Sequence, residues 1–354
     1  MTGNIVSFDI GSAQIKLVWC AGGVCKAAVS APVPDGLVRS GTIVSMDAMA
    51  DLLRQLAKEN NLPRSAQAAV ILPAPLVFTR ITELPLRDSH GDPVTADAGI
   101  HPHHRAAPMT EGQLTYNLPF EFKDYLTQEK SRYYFDYAVQ ELVRGEDDSV
   151  TRMKLFACAT LKTTIEDYRS MMNRAGFKLK LALPEEAAYA ALLTDYIRRT
   201  QPESRDYCLV DVGHAGIRMF ILRDDRFITR RTIDLGMLDL IRSISERQGV
   251  DEHIALTHML SNYEGAMTDP ASMDLYHRMA AEITKAVNFY NYNNRQQALR
   301  RVYLCGGGAA VGHIGDAIRE VADLEVLPAA DLMPDTGSDA PWLYTRALGC
   351  ALQA

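Results

Sequence analysis

Two turns of the same type, each placed between apolar runs, carry the residues best suited to hold a phosphate group. The first reads Asp9-Ile10-Gly11-Ser12 and follows a run that predicts a strand, with a second predicted strand returning at once. Glycine in such a turn lets backbone amides converge on an anion, an aspartate can hold Mg²⁺ through water, and a serine adds a hydroxyl donor. Alone, this pattern is more typical of an ordinary strand that ends in a turn.

The second turn repeats the first and raises its weight. Asp211 follows Asp9 by 202 residues, which leaves room for each hairpin to begin a lobe of its own. The pairs that match at equal offsets are Asp9 with Asp211, Gly11 with Gly213, and Lys16 with Arg218. Two such turns that face each other can clamp the phosphate tail of one nucleotide, together with a Mg²⁺ ion held by Asp9 and Asp211.

A third motif consists of three glycines, Gly306, Gly307 and Gly308, which follow an apolar strand and precede a predicted helix. Glycines at this point let the backbone approach a flat adenine and its ribose, which a side chain would obstruct. On its own the run is more typical of a linker. As the third element after two phosphate-type hairpins, it indicates the adenosine side of a nucleotide site.

Two carboxylates, Glu185 and Glu186, open a predicted helix directly after Pro184. The helix dipole favours negative side chains at this end, so in the simpler interpretation they serve the helix alone. The alternative makes one of them a catalytic residue that faces a nucleotide and orients water. They are the only candidates for a catalytic base that the sequence offers.

The composition fits a two-domain globular protein. The chain has 354 residues, of which 47% are hydrophobic, enough for two lobes with separate cores. The net charge is −7 without a block of consecutive Lys or Arg, which argues against a nucleic-acid or anionic-lipid surface. A signal peptide and a run near the roughly 20 apolar residues of a membrane span are both absent from the sequence, which predicts a cytoplasmic protein. The 6 cysteines are scattered without a Cys-x-x-Cys pair and are interpreted as core thiols.

Residues 86–178 interrupt the predicted α/β first lobe with what we interpret as a small α+β insertion. Its first part is a polar stretch that we interpret as a loop rather than a metal site, because acidic or cysteine ligands at ordered spacing are lacking. The histidines of this stretch are His90, His101, His103 and His104. An aromatic run further on either lines a peptide groove or packs within a sheet, and its members are Tyr133, Tyr134, Phe135 and Tyr137.

The three glycine motifs resemble, in order and spacing, those of the superfamily that contains actin, Hsp70 and the sugar kinases. Within this superfamily the chain resembles the type IV pilus assembly protein PilM family, a relative of the cell-division protein FtsA. The lines that carry this likeness are Asp9 to Val18, Ile71-Leu72-Pro73, Arg80 to Pro85, Glu282 to Tyr290 and Tyr303 to Gly308. The resemblance covers nearly the whole chain and implies a two-lobed, actin-like ATPase (ribonuclease H-like) α/β fold with an inserted 1C-type subdomain.

The resemblance also implies a division of the chain. The first lobe (1A) is expected at residues 1–85 and 179–204, with the 1C-like insertion at 86–178. The second lobe (2A and 2B) is expected at 205–340, and 341–354 is expected to be a C-terminal helix that returns to the first lobe.

The resemblance further implies a scaffold that binds ATP and Mg²⁺ and captures the N-terminal tail of a PilN-like inner-membrane protein. The expected groove is bordered by residues 73–85 and 110–160. Such a protein is peripheral to the inner membrane through its partner, without an anchor of its own, and self-association stays open. The implied nucleotide-binding residues are Asp9, Gly11, Ser12, Lys16, Asp211, Gly213, His214, Gly306, Gly307 and Gly308.

One departure from the family pattern bears on catalysis. The second hairpin of the family has Ser or Thr soon after its glycine, whereas this chain has His214, which is interpreted as a turn residue or a replacement phosphate donor. ATP hydrolysis is therefore less expected than binding, and the chain is at most a weak ATPase.

Two alternative functions stay open. A small-molecule kinase of the same superfamily would need Glu185 or Glu186 as its base. An FtsA-like filament protein would end in an amphipathic anchor helix, but residues 344–354 form a short predicted helix of mostly Ala, Leu and Cys in which Arg346 is the only charged residue.

Overall fold

The computed structural model describes residues 3–85, 108–144, 150–203, 205–295 and 298–354. Its strands are β1 (Asn4–Ile10), β2 (Gln14–Ala21), β3 (Val24–Pro32), β4 (Val38–Arg39), β5 (Thr42–Ile43), β6 (Gln67–Leu72), β7 (Phe78–Pro85), β8 (Tyr133–Arg144), β9 (Val150–Leu161), β10 (Lys178–Pro184), β11 (Asp206–Val212), β12 (Ile217–Arg223), β13 (Arg226–Ile233), β14 (Arg301–Cys305) and β15 (Glu325–Pro328). Its helices are α1 (Met46–Glu59), α2 (Pro108–Glu121), α3 (Lys162–Ala175), α4 (Glu185–Thr200), α5 (Met237–Gln248), α6 (Glu252–Ser261), α7 (Pro270–Asn293), α8 (Gly312–Val321) and α9 (Thr345–Gln353).

A five-stranded mixed sheet forms the first lobe, in the order β10-β6-β1-β2-β3. The central strands β1 and β6 are almost wholly buried because helices cover both faces of the sheet. One face packs with α1 and α3, with Leu53, Tyr168 and Met172 in that core. The other face packs with α4 and α9, with Leu192 and Leu348 in that core.

The second lobe repeats this sheet, in the order β13-β12-β11-β14-β15. In each lobe three antiparallel strands form a meander, and two further strands run parallel to the first strand of the meander. Helices α5, α7 and α8 bury one face of this sheet. The other face packs against α4, where the rings of Tyr189 and Phe220 have centroids 4.6 Å apart. Helix α4 is therefore shared by both lobes.

A smaller antiparallel sheet of three strands, in the order β7-β9-β8, forms the inserted unit. Helix α2 and the turn after it pack on this sheet through Leu118 and Phe122, which share a cluster with Ala157 and Ala159 of β9. Both small alanines leave room for these larger side chains.

The pairing within the small sheet bears on the predicted bounds of the insertion. The sequence predicts it at 86–178, but β7 pairs along its whole length with β9 and so lies in the small sheet. Helix α3, by contrast, packs against α1 in the core of the first lobe. From this strand pairing we propose bounds near residues 78 and 161, and the division of the chain into lobes stays a prediction. The four histidines of the predicted loop lie outside the described residues.

Helix boundaries follow local sequence signals. Ser45 caps α1, because its hydroxyl accepts from the amide of Ala48 at 3.2 Å. Gly176 ends α3 in the left-handed conformation, with φ at +95°. Over the parts of the chain that the structure describes, none of the helices combines the length and the apolar content needed to cross a bilayer.

Candidate functional site

The two predicted hairpins have the same register. Asp9 of β1 lies opposite Lys16 of β2, and Asp211 of β11 lies opposite Arg218 of β12. Each lobe thus presents an aspartate beside a basic side chain at the end of its first strand. The internal repeat in the sequence is a repeat in space as well.

The glycine of each turn is required by the turn itself. The amide of Gly11 donates to the carbonyl of Gln14 at 3.0 Å, and the amide of Gly213 donates to the carbonyl of Gly216 at 3.0 Å. A Cβ on Gly11 would lie 3.0 Å from the Gln14 oxygen, and one on Gly213 would lie 2.8 Å from the Gly216 oxygen. These two amides hold the turns closed, whereas the sequence pattern predicts that they point at a phosphate.

The side chain at the centre of the site comes from α9 and belongs to neither hairpin. The guanidinium of Arg346 lies 3.1 Å from Asp9 Oδ2 and 3.4 Å from Asp211 Oδ2, so it bridges the two lobes. It also lies 2.5 Å from Glu185 Oε1. The Arg346 side chain is 7% exposed and each of its three partners is at most 4% exposed, which makes this a buried ion cluster.

Arg218 adds a second guanidinium to the cluster. It contacts Glu185 Oε1 and lies 3.4 Å from Asp211 Oδ2. Its side chain is 27% exposed, so unlike Arg346 it reaches the surface of the cleft. Glu185 and Asp211 are therefore each shared by two arginines.

The acidic and basic side chains of the cluster are matched in number. Burial lowers the pKa of Lys16, against the opposing charge of Asp9. Burial alone would raise the pKa of Asp211, but the charges of Arg346 and Arg218 outweigh it and hold that pKa below its usual value. Burial would likewise lower the pKa of Arg346, but the neighbouring carboxylates raise it well above normal. Asp211 and Arg346 thus stabilise each other's charged forms.

The packing of α9 on α4 brings Arg346 into the cleft. A Cβ on Gly349 of α9 would lie 2.0 Å from the carbonyl oxygen of Ala188 in α4, so only glycine allows the helices to come this close. Just before α9, the carbonyl of Trp342 accepts from the amide of Gly306 at 3.1 Å. The C-terminal segment is therefore fastened to both lobes.

The two carboxylates predicted as catalytic candidates are both engaged in ion pairs. Glu185 Oε1 accepts from both arginines of the cluster, while its Oε2 is buried without a hydrogen-bond partner among the described residues. Glu186 Oε1 instead lies 2.8 Å from Arg230 and 3.0 Å from the hydroxyl of Thr79. Burial raises the pKa of Glu186, against the charge of Arg230. These contacts give both residues a structural role at the start of α4.

The three glycines pack against the second hairpin. Gly306 has φ at +81°, and a Cβ there would lie 2.2 Å from Asp211 Oδ1. A Cβ on Gly308 would lie 2.2 Å from Cγ1 of Val212. A Cβ on Gly307 would have no atom within 4 Å. Two of the three glycines are thus required by the protein's own packing, and Gly307 is the one that faces open space.

The residue after each turn glycine differs between the lobes. Ser12 in the first turn is partly buried. The carbonyl of His214 in the second turn accepts from the amide of Leu238 at 2.8 Å, and that of Gly213 accepts from the amide of Met237 at 3.1 Å. Burial lowers the pKa of the His214 ring. The second turn therefore satisfies the free amides at the start of α5, a contact that the sequence does not reveal.

The structure brings together most of the charged residues that the sequence singles out. Asp9, Asp211 and Glu185 meet in the cluster, and Lys16 lies opposite Asp9 in the first hairpin. Glu186 belongs to a separate pair with Arg230. Arg346 is the centre that sequence reasoning missed, although its signal is present, because a single charge in an apolar helix indicates a buried ion pair. The identity of its partners was not readable from the sequence.

A Mg²⁺ ion coordinated directly by Asp9 and Asp211 does not fit this arrangement, and the contact through water that the sequence predicts stays a prediction. Both carboxylates already hold the guanidinium of Arg346. With Arg346 in place, no group of three His, Cys, Asp or Glu side chains among the described residues is arranged to hold a metal ion. A divalent ion bound directly to these carboxylates would have to displace the guanidinium of Arg346.

An exposed aromatic surface lies on the outer side of α2 and the turn that follows it. Its rings are Tyr116, Phe120 and Tyr125, which are 69%, 48% and 49% exposed. The rings of Tyr116 and Phe120 have centroids 5.6 Å apart. Lys130 lies 4.8 Å from the centre of the Phe120 ring, and Arg80 of β7 lies 5.9 Å from that of Tyr125. We call these three rings the aromatic surface.

The aromatic run of β8 contributes on alternate sides of its sheet. Tyr133 is 4% exposed, and the ring of Phe135 packs 5.9 Å from that of Phe122. Tyr134, which points the other way, is 44% exposed. Tyr133 and Phe135 thus pack as the second interpretation predicts, whereas a peptide groove at this run stays a prediction.

Comparisons with known proteins identify relatives of the chain. The family model described as type IV pilus assembly protein PilM matches residues 105–331. The solved PilM-PilN type IV pilus biogenesis complex is similar over 100% of this chain and 99% of the other, with a TM-score of 0.73 and 18% identity. A search of curated protein sequences found no match.

Two further solved structures share the fold. The ethanolamine utilization protein EutJ from Carboxydothermus hydrogenoformans is similar over 98% of this chain and 88% of the other, with a TM-score of 0.56 and 16% identity. MreB 5 of Spiroplasma citri bound to AMPPNP is similar over 99% of this chain and 95% of the other, with a TM-score of 0.52 and 11% identity. The predicted actin-like, two-lobed α/β fold is confirmed by these likenesses.

Proposed function

The chain belongs to the type IV pilus assembly protein PilM family, and from this membership we propose that it is a scaffold of a type IV pilus or type II secretion-like assembly machine. Its partner in this proposal is the N-terminal tail of a PilN-like inner-membrane protein. The observation that carries the proposal is the family match, which spans most of the inserted unit and the second lobe. The fold shared with the PilM-PilN complex supports it.

The aromatic surface is the site that we propose for the partner's tail. It lies beside β7 and α2, which belong to the two stretches that border the predicted groove, residues 73–85 and 110–160. Exposed aromatic rings supply a large contact area at a small cost in side-chain entropy, which suits recognition of a short extended peptide. Arg80 is paired with Glu121, so Lys130 beside the Phe120 ring is the cation that favours an acidic residue in the tail.

A direct test measures binding of a labelled peptide. The peptide is the cytoplasmic N-terminal tail of the PilN-like protein encoded beside this chain, followed by fluorescence polarisation. We expect saturable binding that Phe120→Ala or Tyr125→Ala weakens at least about tenfold, as for a central aromatic contact. The matched control is Tyr292→Ala, since Tyr292 is 70% exposed and has Arg295 at 5.2 Å from its ring centre. Equal losses in all three variants, or no binding at all, would refute this assignment.

We also propose that the cleft between the lobes binds an adenine nucleotide. The fold shared with MreB 5, whose structure holds AMPPNP, supports this. The residues that we propose to border the nucleotide are those of the two turns, together with Arg218 and Gly307. Arg218 is the cation most open to a phosphate group, at 27% exposure. Saturable binding of a fluorescent ATP analogue, weakened by Arg218→Met, is the expected result.

The proposed nucleotide site differs from the sequence prediction in its metal. Mg²⁺ is left out of the proposal because Asp9 and Asp211 are paired with Arg346. Catalysis by Glu185 or Glu186 gains no support from their contacts, since both carboxylates are held by arginines. Together with membership of the PilM family, these contacts favour the scaffold over the kinase alternative, and the family membership favours it over the filament alternative. We propose that the chain lies at the inner membrane through its partner.

A further inference from the structure

The position of Arg346 is fixed by the fold. It lies between Asp9 and Asp211, which stand at equivalent places in the two lobes, at 3.1 Å and 3.4 Å. Its helix is locked against α4 at the close contact between Gly349 and Ala188. The packing of α9 on α4 therefore places the Arg346 guanidinium inside the cleft.

The charges of the cluster leave no demand for a further cation. The carboxylates Asp9, Asp211 and Glu185 face as many basic side chains, which are Lys16, Arg218 and Arg346. A divalent ion at Asp9 and Asp211 would lie within a few ångströms of a buried guanidinium, where repulsion is strong because water is excluded. Without Arg346, the same carboxylates would be buried with too little positive charge, which is the condition that favours metal binding.

One acceptor in the cluster has no partner. Glu185 Oε2 is buried without a hydrogen bond among the described residues. Oε1 of the same carboxylate already accepts from Arg218 and Arg346, so a Mg²⁺ ion at Oε2 would lie beside two guanidinium groups that repel it. This atom suits a water molecule or a hydroxyl donor rather than a metal.

We propose that Arg346 is the resident cation of the cleft: it neutralises Asp9 and Asp211, joins the two lobes, and keeps divalent metal ions out of the site. The inference depends neither on the partner peptide nor on a bound nucleotide. Its failure and the failure of the proposed function are therefore read from separate assays.

The test uses Mn²⁺ as a probe on the full chain, with free Mn²⁺ measured by electron paramagnetic resonance. For the unmodified protein we expect no saturable site up to about 1 mM Mn²⁺, the weak end of carboxylate sites for divalent ions. Arg346→Met should gain a site, while Arg346→Lys, which keeps the charge, should not. Arg223→Met is the matched control, because Arg223 pairs at 2.8 Å with Asp206, and these two residues lie on β12 and β11, the strands that carry Arg218 and Asp211. This variant should bind no more Mn²⁺ than the unmodified protein.

Two results would overturn the proposal. One is a saturable Mn²⁺ site in the unmodified protein that Asp9→Asn removes. The other is a folded Arg346→Met variant that binds no Mn²⁺, because the guanidinium would then not be what excludes the metal. If Arg346→Met does not fold, the unmodified protein and its Asp9→Asn variant still decide the question.

Discussion

The two hairpins of this protein share one backbone and differ in their charges. In both, an aspartate lies opposite a basic residue and the glycine amide closes the turn at 3.0 Å. The basic residue of the first hairpin is the buried Lys16, whereas that of the second is the half-buried Arg218. The turn of the second hairpin also contains His214, where the first has Ser12. The backbone of such a turn is set by glycine and strand pairing, so its charge can diverge without loss of the fold.

A single residue outside both hairpins then joins them. Arg346 makes an ion pair with the aspartate of each lobe. Its helix, α9, is not part of either hairpin. The two repeated hairpins therefore locate this site, but Arg346 of α9 determines which ion pairs form there.

The largest expected effect comes from removing the bridge. Arg346→Met leaves three buried carboxylates with one guanidinium fewer, so we expect a loss of about 3–5 kcal/mol in the free energy of unfolding. Chemical denaturation measures it. Arg223→Met removes an ion pair whose side chains are 30% and 27% exposed, and should cost at most about 1 kcal/mol. Similar losses in the two variants would contradict a central role for Arg346.

A smaller effect is expected at the three glycines after β14, of which Gly306 and Gly308 pack against the second hairpin. Gly306→Ala places a Cβ 2.2 Å from Asp211 Oδ1 at a positive φ, so it should cost about 1–3 kcal/mol of stability. Gly307→Ala meets no atom within 4 Å and should change stability by at most about 0.5 kcal/mol. Thermal denaturation of both variants checks this order, and a reversed order would show that the turn is not packed as described.

The smallest effect concerns pH and separates the two turns. Burial lowers the pKa of His214, so below the unfolded pKa of about 6.5 the folded state binds fewer protons than the unfolded state and stability falls. His214→Asn should therefore lose less stability than the unmodified protein between about pH 7 and about pH 5. Ser12→Ala, in the first turn, should leave this pH dependence unchanged. If the pH dependence of stability is the same in His214→Asn as in the unmodified protein, then His214 does not contribute to it.

Much of the fold was predictable because its signals are local. The hairpin at Asp9, its repeat at Asp211 and the helix at 185–200 all follow from apolar periodicity and turn residues, and the structure has each of them. The bounds of the insertion were harder, because β7 has the same apolar pattern whichever sheet it joins. Only its pairing with β9 assigns it to the small sheet.

The site was predictable in its members and not in its chemistry. Asp9 and Asp211 are evident from the repeat, and their position beside each other follows from the fold. Their use as partners of Arg346 depends on a contact across more than 100 residues, and on a helix approach that only Gly349 permits. No local signal carries such a contact, so the sequence pattern does not predict that Arg346 is the cation beside these aspartates.

The most direct test of the account is a crystal structure of the chain grown with Mn²⁺ and a non-hydrolysable ATP analogue, with anomalous data for manganese. The account predicts that Arg346 stays within ion-pair distance of both Asp9 and Asp211 and that no manganese peak lies between them. A manganese peak bound by these aspartates, directly or through water, with Arg346 turned away, would contradict it.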